Sequence, residues 1–451
     1  MNKTIEIVKV AASGDTIKYE IQDRTGLRLL KQEKVDAWVK FHHTEGLGFS
    51  MDGLPESILS IPIALYLMPA TWFYGIDLVV PSMDKVLYDD LPVIYETYSK
   101  IYGPFKKEWR GNVIAECIVE NRMPENRFDN IVFFSGGVDA VHAGINNPGE
   151  RSVLVSVPSI EAMVKTKRKS VGDDFLDAKS RLIREFSAIS GSDWSLITNN
   201  FQEDVFDDVK IWGELKDSFA LRSEAFRFDG WFGIKYLGNL LSAAPFAYAL
   251  GVKNLVMGSA FEQLEDNHAS NLDGANPELS DSFRFADVSF TEQDGLCMRR
   301  SLKVKNSVEW CVARGKRTML WTCFNDDTKQ CCTCIKCLRT QFNILCAGEN
   351  PAEWGFKNFD EKRFSRLVRS YRYCEINVCW LWDIVDSIDD TRSYPYCDEL
   401  LHWLKKIGYK EYYKRTRLVR KIIGLKRIFK IHRYPHYMNI VSRRIAGKFF
   451  H

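Results

Sequence analysis

The chain has 451 residues, with 62 Lys and Arg against 59 Asp and Glu, and 45% of it is hydrophobic. These values exclude a disordered, collagen-like or coiled-coil chain and suit two or three domains with ample core. The net charge of +3 hides an asymmetry: Lys405 to His451 holds fifteen Lys and Arg against a single acid, Glu411, leaving −11 on the first 404 residues.

The opening MNKTIEIVKV lacks the apolar stretch of a secretory signal, so a cytoplasmic location is expected. Alternating stretches at Thr4 to Val8 and Thr16 to Ile21 predict a hairpin. Ser57 to Ile76 has twenty residues without a charge, enough to cross a bilayer, yet Pro62, Pro69 and Gly75 interrupt it. Pro55-Glu56 reads as a helix start, and a buried helix is expected there in place of a membrane span. A strand at Ile76 to Val80, a helix at Leu91 to Ile101 and a polar linker at 121–127 complete an N-terminal α+β domain over 1–125.

From Asn130 strands and helices alternate. Ile131 to Phe134, Ser152 to Val157 and Ser195 to Thr198 are apolar runs suited to strands buried on both faces. Further strands are expected at Asn254 to Met257 and Thr318 to Thr322, with helices at Asp174 to Ser190 and Tyr236 to Leu250. The pattern predicts an α/β fold with a doubly wound, mostly parallel sheet over 126–350. A helical region, 351–451, ends in the basic tail.

Phe134-Ser135-Gly136-Gly137-Val138-Asp139-Ala140 lies between the first of these strands and a predicted helix from Val141. Two glycines let successive N–H groups face one concavity, and a helix N-terminus behind adds partial positive charge. Such a loop suits a phosphate or pyrophosphate, with Ser135 adding a hydroxyl. Serine–glycine turns are common, so the flanking strand and helix and the following Asp139 carry this reading.

Twelve cysteines are present, and five of them lie between Cys323 and Cys337. Cys323, Cys331, Cys334 and Cys337 give C-x7-C-x2-C-x2-C, with Cys332 outside the spacing. Four thiolates so placed can close a tetrahedron around zinc, although thiolates alone do not exclude an iron–sulfur cluster. A closed four-ligand site has no open position for catalysis, so a structural Zn²⁺ in a reducing compartment is expected.

The glycine loop resembles the SGGxDS loop of the PP-loop ATP pyrophosphatases, with Ala140 where the motif usually has serine. Together with the four-cysteine spacing it is similar to the 7-cyano-7-deazaguanine synthase (QueC) family over roughly 130–348. The resemblance implies an adenine nucleotide α-hydrolase-like fold, with ATP and Mg²⁺ as cofactors besides zinc. It implies that Ser135, Gly136, Gly137, Val138 and Asp139 cradle the pyrophosphate moiety. The implied reaction is adenylation of a deazaguanine-like carboxylate, release of pyrophosphate, and capture by ammonia. The N-terminal region and basic tail have no counterpart in the housekeeping enzyme. Related enzymes of bacterial antiphage defence carry extra regions and attach a deazaguanine to a partner protein. Other PP-loop chemistry, such as tRNA sulfur transfer or amidation, and a non-catalytic nucleotide-binding scaffold are the alternatives.

Gly258, Ser259 and Glu262 should lie at a strand's carboxyl end, where ligands bind in doubly wound folds. Gly238-Asn239 is a further candidate near the start of its helix. Asp281 sits in a polar loop that would match the family's acidic loop reading the purine-like edge, with an exposed loop aspartate as the equal alternative. Arg300 and Lys303 share a helix face at i and i+3 and could neutralise phosphate charge, or belong to a solvated face. Arg339 follows the last cysteine and could do the same, while His142 reads as a core or surface histidine. The tail could dock on the acidic body of its own chain or of a second copy in a homodimer. It could equally bind anionic lipid, nucleic acid or an acidic partner.

Overall fold

The computed structural model of the protein describes residues 3–102, 111–125, 127–158, 173–208, 210–211, 233–259, 276–323, 329–370, 378–388, 392–394 and 396–428. Alternating burial on the first strands reflects their alternating sequence, with β1 (Thr4–Ser13) and β2 (Thr16–Asp23) forming the expected hairpin. β3 (Lys34–His42) pairs with β2. The uncharged stretch folds as α1 (Glu56–Leu59) and α2 (Ile61–Phe73), and every residue of α2 is buried. Among the described residues no helix is long and apolar enough to cross a membrane. β4 (Asp77–Asp84), α3 (Lys85–Tyr102) and β5 (Val113–Val119) follow.

The middle of the chain supplies β6 (Asn130–Phe133), α4 (Val138–Asn146), β7 (Ser152–Ser156), α5 (Asp173–Ser190) and β8 (Asp193–Asn199). After a helix at 233–240 and a 3-10 turn come α6 (Ala244–Ala249) and β9 (Asn254–Gly258). α7 (Pro277–Ser280), β10 (Arg284–Phe285) and β11 (Val288–Asp294) lead to α8 (Arg300–Val312). The C-terminal region contains α9 (Ile335–Cys346), α10 (Glu361–Arg369), α11 (Val378–Asp386) and α12 (Asp398–Ile428).

Among the described residues one sheet runs β10-β11-β9-β6-β7-β8-β3-β2-β1-β4-β5. Six of its ten neighbour pairs are parallel, and the block β11-β9-β6-β7-β8 is parallel throughout. The N-terminal strands extend this same sheet, because β3 pairs antiparallel with β8 through Val39–Asn199 and Phe41–Ile197. Side chains alternate between two cores. Ile131, Phe133, Val153, Val155 and Leu255 face α2, α3 and α6 on one side. Val132, Leu154, Leu196 and Val256 face α4, α5 and α8 on the other. Helices on both faces explain why these strands read as continuous apolar runs.

A third core gathers the C-terminal helices around Leu338, Phe342 and Leu345 of α9. There Tyr412 is fully buried and donates its hydroxyl to the Val368 carbonyl at 2.8 Å. The first turns of the basic tail therefore dock on their own chain. Gly408, at φ 72°, kinks α12 just before them. The rest of the tail, 429–451, lies outside the described residues.

Two expectations change. Thr318 to Thr322 is not a strand: Leu320 and Trp321 donate to Trp354 and Gly136 respectively, so the segment bridges two loops and joins no ladder. Gly238-Asn239 does not open a helix, which already runs from 233. A side chain at Gly238 would collide with the Tyr66 backbone of α2, so that glycine serves close helix packing.

Candidate functional site

β6 pairs with β7 on one side and β9 on the other, both parallel, so the chain reverses its direction of winding at β6. The crevice beyond the carboxyl ends at such a switch point is the general ligand position of open α/β sheets. Ser135 to Gly137 leave β6 there. Gly136 adopts φ 79°, a left-handed conformation that a side chain would strain, and an added Cβ would strike Leu182. Gly137 is the extended N-cap of α4, and its N–H lies 3.3 Å from the Ser135 hydroxyl.

β9 ends against this loop. A side chain at Gly258 would collide with the Asp139 carbonyl, so glycine is what lets the first turn of α4 rest on the strand. Ser259 is fully buried, donating its N–H to the Asp294 carbonyl at 3.0 Å while its own carbonyl accepts from Lys303. Glu262 lies outside the described residues.

Asp139 projects from that first turn toward two cations. Arg300 Nη2 lies 2.7 Å from Oδ2, and Lys303 Nζ lies 3.3 Å from Oδ1. The predicted i, i+3 face of α8 is thus turned inward, with Lys303 fully buried. Burial by itself would raise the Asp139 carboxyl, but Arg300, Lys303 and the more distant charge of Arg339 hold it below the usual range. His142, one turn further along α4, is buried and bonds Asp294 through Nδ1 at 2.7 Å; Asn146 also donates to Asp294, at 2.9 Å. This histidine ties α4 to the Asp294-Gly295 turn, in agreement with a core role.

Asp281 is placed differently. It follows α7, whose Leu279 packs on the opposite face of the sheet from α4, and it is exposed. Burial of its surroundings raises its carboxyl.

The four spaced cysteines converge: their sulfur atoms all lie within 4.8 Å of one another. A tetrahedron with metal–sulfur bonds of about 2.3 Å has edges of about 3.8 Å. Cys331 and Cys337 Sγ are 3.9 Å apart. Backbone N–H groups face the sulfurs, with Cys334 N 3.2 Å from Cys331 Sγ and Cys337 N 3.5 Å from Cys334 Sγ. The Cys334 sulfur thereby caps α9. Bonds to Cys323 and Cys334, followed by burial, push the Cys337 thiol far up, so four thiolates together require a cation. The donor set fits a metal such as zinc. Cys332, at φ 59°, turns away to the Gln330 carbonyl.

Two contributors escape the sequence reading. Lys179 of α5, 1% exposed, donates to the Ser135 carbonyl at 2.8 Å and lies 4.7 Å from the centre of the Trp321 ring. Trp321, just before the first metal-site cysteine, donates its N–H to the Gly136 carbonyl at 2.6 Å. A signal for Lys179 did exist: it falls in register with the buried Phe175, Ala178, Leu182 and Phe186, a core phase where a lysine needs a partner. For Trp321 no local signal exists. Comparison with known proteins found no matching family model, curated protein or solved structure.

Proposed function

We propose that the chain is an ATP-dependent carbon–nitrogen ligase of QueC-like type, built on an adenine nucleotide α-hydrolase-like fold. The observation that carries this reading is the glycine loop at the β6–β9 switch point, with Asp139, Arg300 and Lys303 gathered behind it. The β- and γ-phosphates of ATP would rest on the N–H groups of 135–139 and the α4 N-terminus, with Mg²⁺ entering on the phosphates. Arg300 and Lys303 would offset the charge that develops as pyrophosphate leaves the α-phosphorus. A deazaguanine-like carboxylate would be the group activated, and an amine, ammonia or that of a partner protein, would displace AMP. Extra N- and C-terminal regions favour the protein-modifying form known in antiphage defence. Ala140 removes one hydroxyl of the usual motif and leaves the backbone cradle.

The cysteine cluster would supply no reacting group. It would instead hold Trp321 on Gly136 and set α9, with Arg339, toward Asp139. Sulfur transfer is the competing reading. Its requirement for an accessible thiol points to Cys297, exposed between the Asp294-Gly295 turn and Arg300. Burial pushes the Cys311 thiol up to about 11, which argues against a role for that residue.

The test is nucleotide analysis and intact-mass spectrometry with Mg-ATP and 7-carboxy-7-deazaguanine, with and without ammonia. AMP and pyrophosphate that depend on the carboxylate and fall in Ser135→Ala are expected. A deazaguanine-sized mass gain on a co-expressed neighbour protein would place the amine on a protein. Absence of AMP from the folded enzyme would discard this substrate, and dependence on Cys297 would move the reading to sulfur transfer.

A further inference from the structure

A second cavity lies on the other face of α8. Arg300 and Lys303 turn to Asp139, whereas Leu302 and Lys305 line a space of about 320 Å³ closed by α9, α11 and the segment after it. One wall is aliphatic, with Leu302, Ile384 and Ile388, and the other end presents Lys305, Arg392 and Asn343. The lining contains no carboxylate. The nearby acid, Asp383, is already neutralised: Arg299 Nη1 lies 2.8 Å from Oδ1 and the Ser301 hydroxyl donates to Oδ2 at 2.7 Å.

Asn343 is the informative residue. It is 5% exposed, lines the cavity, and its Oδ1 has no hydrogen-bond partner. A buried carbonyl left in this way is costly, so a donor is expected to complete it. The three features define a ligand: an anionic group for two cations, an N–H for the Asn343 oxygen, and an aliphatic body for the wall. The volume is at the low end of ligand pockets, which run from about 300 Å³. It suits one or two amino-acid units.

We propose that this cavity binds a small organic carboxylate carrying an N–H donor and an apolar side group. That chemistry is shared by a free N-acylamino acid and by the carboxyl end of a peptide with an aliphatic last residue. A bare phosphate would leave the aliphatic wall unused, and a nucleic acid would not enter. The cavity stands apart from Asp139, so the assignment holds or falls independently of chemistry at the glycine loop.

The experiment is isothermal titration calorimetry of the full chain with N-acetyl-L-leucine, N-acetyl-L-leucinamide and the peptide Ala-Ala-Ala-Leu with a free carboxylate. Saturable binding of the acid is expected, with the neutral amide weaker by about tenfold or more, because charged hydrogen bonds are lost. Lys305→Ala and Arg392→Ala, both surface changes, should each weaken the acid about tenfold. Asn343→Leu should weaken it too, while folding stability is kept or raised by removal of the orphan oxygen. Tighter binding of the peptide than of the acid would identify a chain end as the occupant, and equal binding a free small molecule. No saturable binding of the acid, equal affinity for acid and amide, or an unchanged Lys305→Ala would each overturn the assignment.

Discussion

The Trp321 backbone N–H donates to the Gly136 carbonyl oxygen across 2.6 Å. This one bond joins the segment that enters the cysteine cluster to the glycine loop. Gly136 also packs on the Trp321 Cβ, so the two sites share a wall. Any change that frees Cys323 from the cluster should therefore be felt at Ser135 to Gly137.

Metal content should follow the sulfur geometry. Cys334→Ser is expected to lose the bound metal, while Cys332→Ser keeps it, as elemental analysis of purified protein would show. Structural zinc sites in small peptides contribute about 10–16 kcal/mol, comparable with the whole stability of a domain. Cys334→Ser should accordingly lower the thermal midpoint by many degrees and weaken nucleotide binding at the loop. Equal metal content in the two variants would refute the ligand set.

Lys179→Met keeps the buried volume and removes the charge. The Ser135 carbonyl then loses its donor, at a cost of about 1–3 kcal/mol in denaturant unfolding. AMP formation should fall at least tenfold in the still-folded variant, whereas Lys179→Arg should recover part of it. Full activity in Lys179→Met would show that the loop holds its shape without this bond.

The two glycines should respond differently to alanine. At Gly136 the obstacle is a flexible Leu182 side chain plus a left-handed φ; at Gly258 it is the Asp139 backbone. A backbone cannot step aside, so Gly258→Ala is expected to be the more damaging. It should cost about 3 kcal/mol by urea unfolding, with Gly136→Ala nearer about 1–2 kcal/mol.

Acid sensitivity follows from Asp139. Its carboxyl in the folded chain lies below the unfolded value of about 3.9, so the folded state binds the proton less readily. Stability from this group is complete above that value and is lost as pH falls through the folded one. Asp139→Asn leaves Arg300 and Lys303 facing a neutral group and should cost roughly 3–5 kcal/mol at pH 7. The gap between wild type and variant should shrink between pH 5 and pH 3 in urea titrations. A gap that stays constant would remove Asp139 from the acid response.

Much of the fold follows from local pattern. Apolar runs of four or five residues between turn signals located β6, β7, β8 and β9, and prolines inside the uncharged stretch marked α2 as buried. Thr318 to Thr322 failed by the same logic: an apolar run has no way to record whether a neighbouring strand is there to receive its hydrogen bonds.

The sequence by itself determined the glycine loop, the four cysteine ligands and the pairing of Arg300 with Lys303 on one helix face, because each depends on spacing within a short stretch. Only the tertiary structure decided that those cations meet Asp139, that Lys179 supports Ser135, and that β3 joins the N-terminal strands to β8 in one sheet. The physical reason is distance along the chain. Helix and turn signals act over a few residues, whereas Asp139 and Arg300 are 161 positions apart and are brought together by the burial of apolar faces, which is non-directional and leaves no pairwise mark in the sequence.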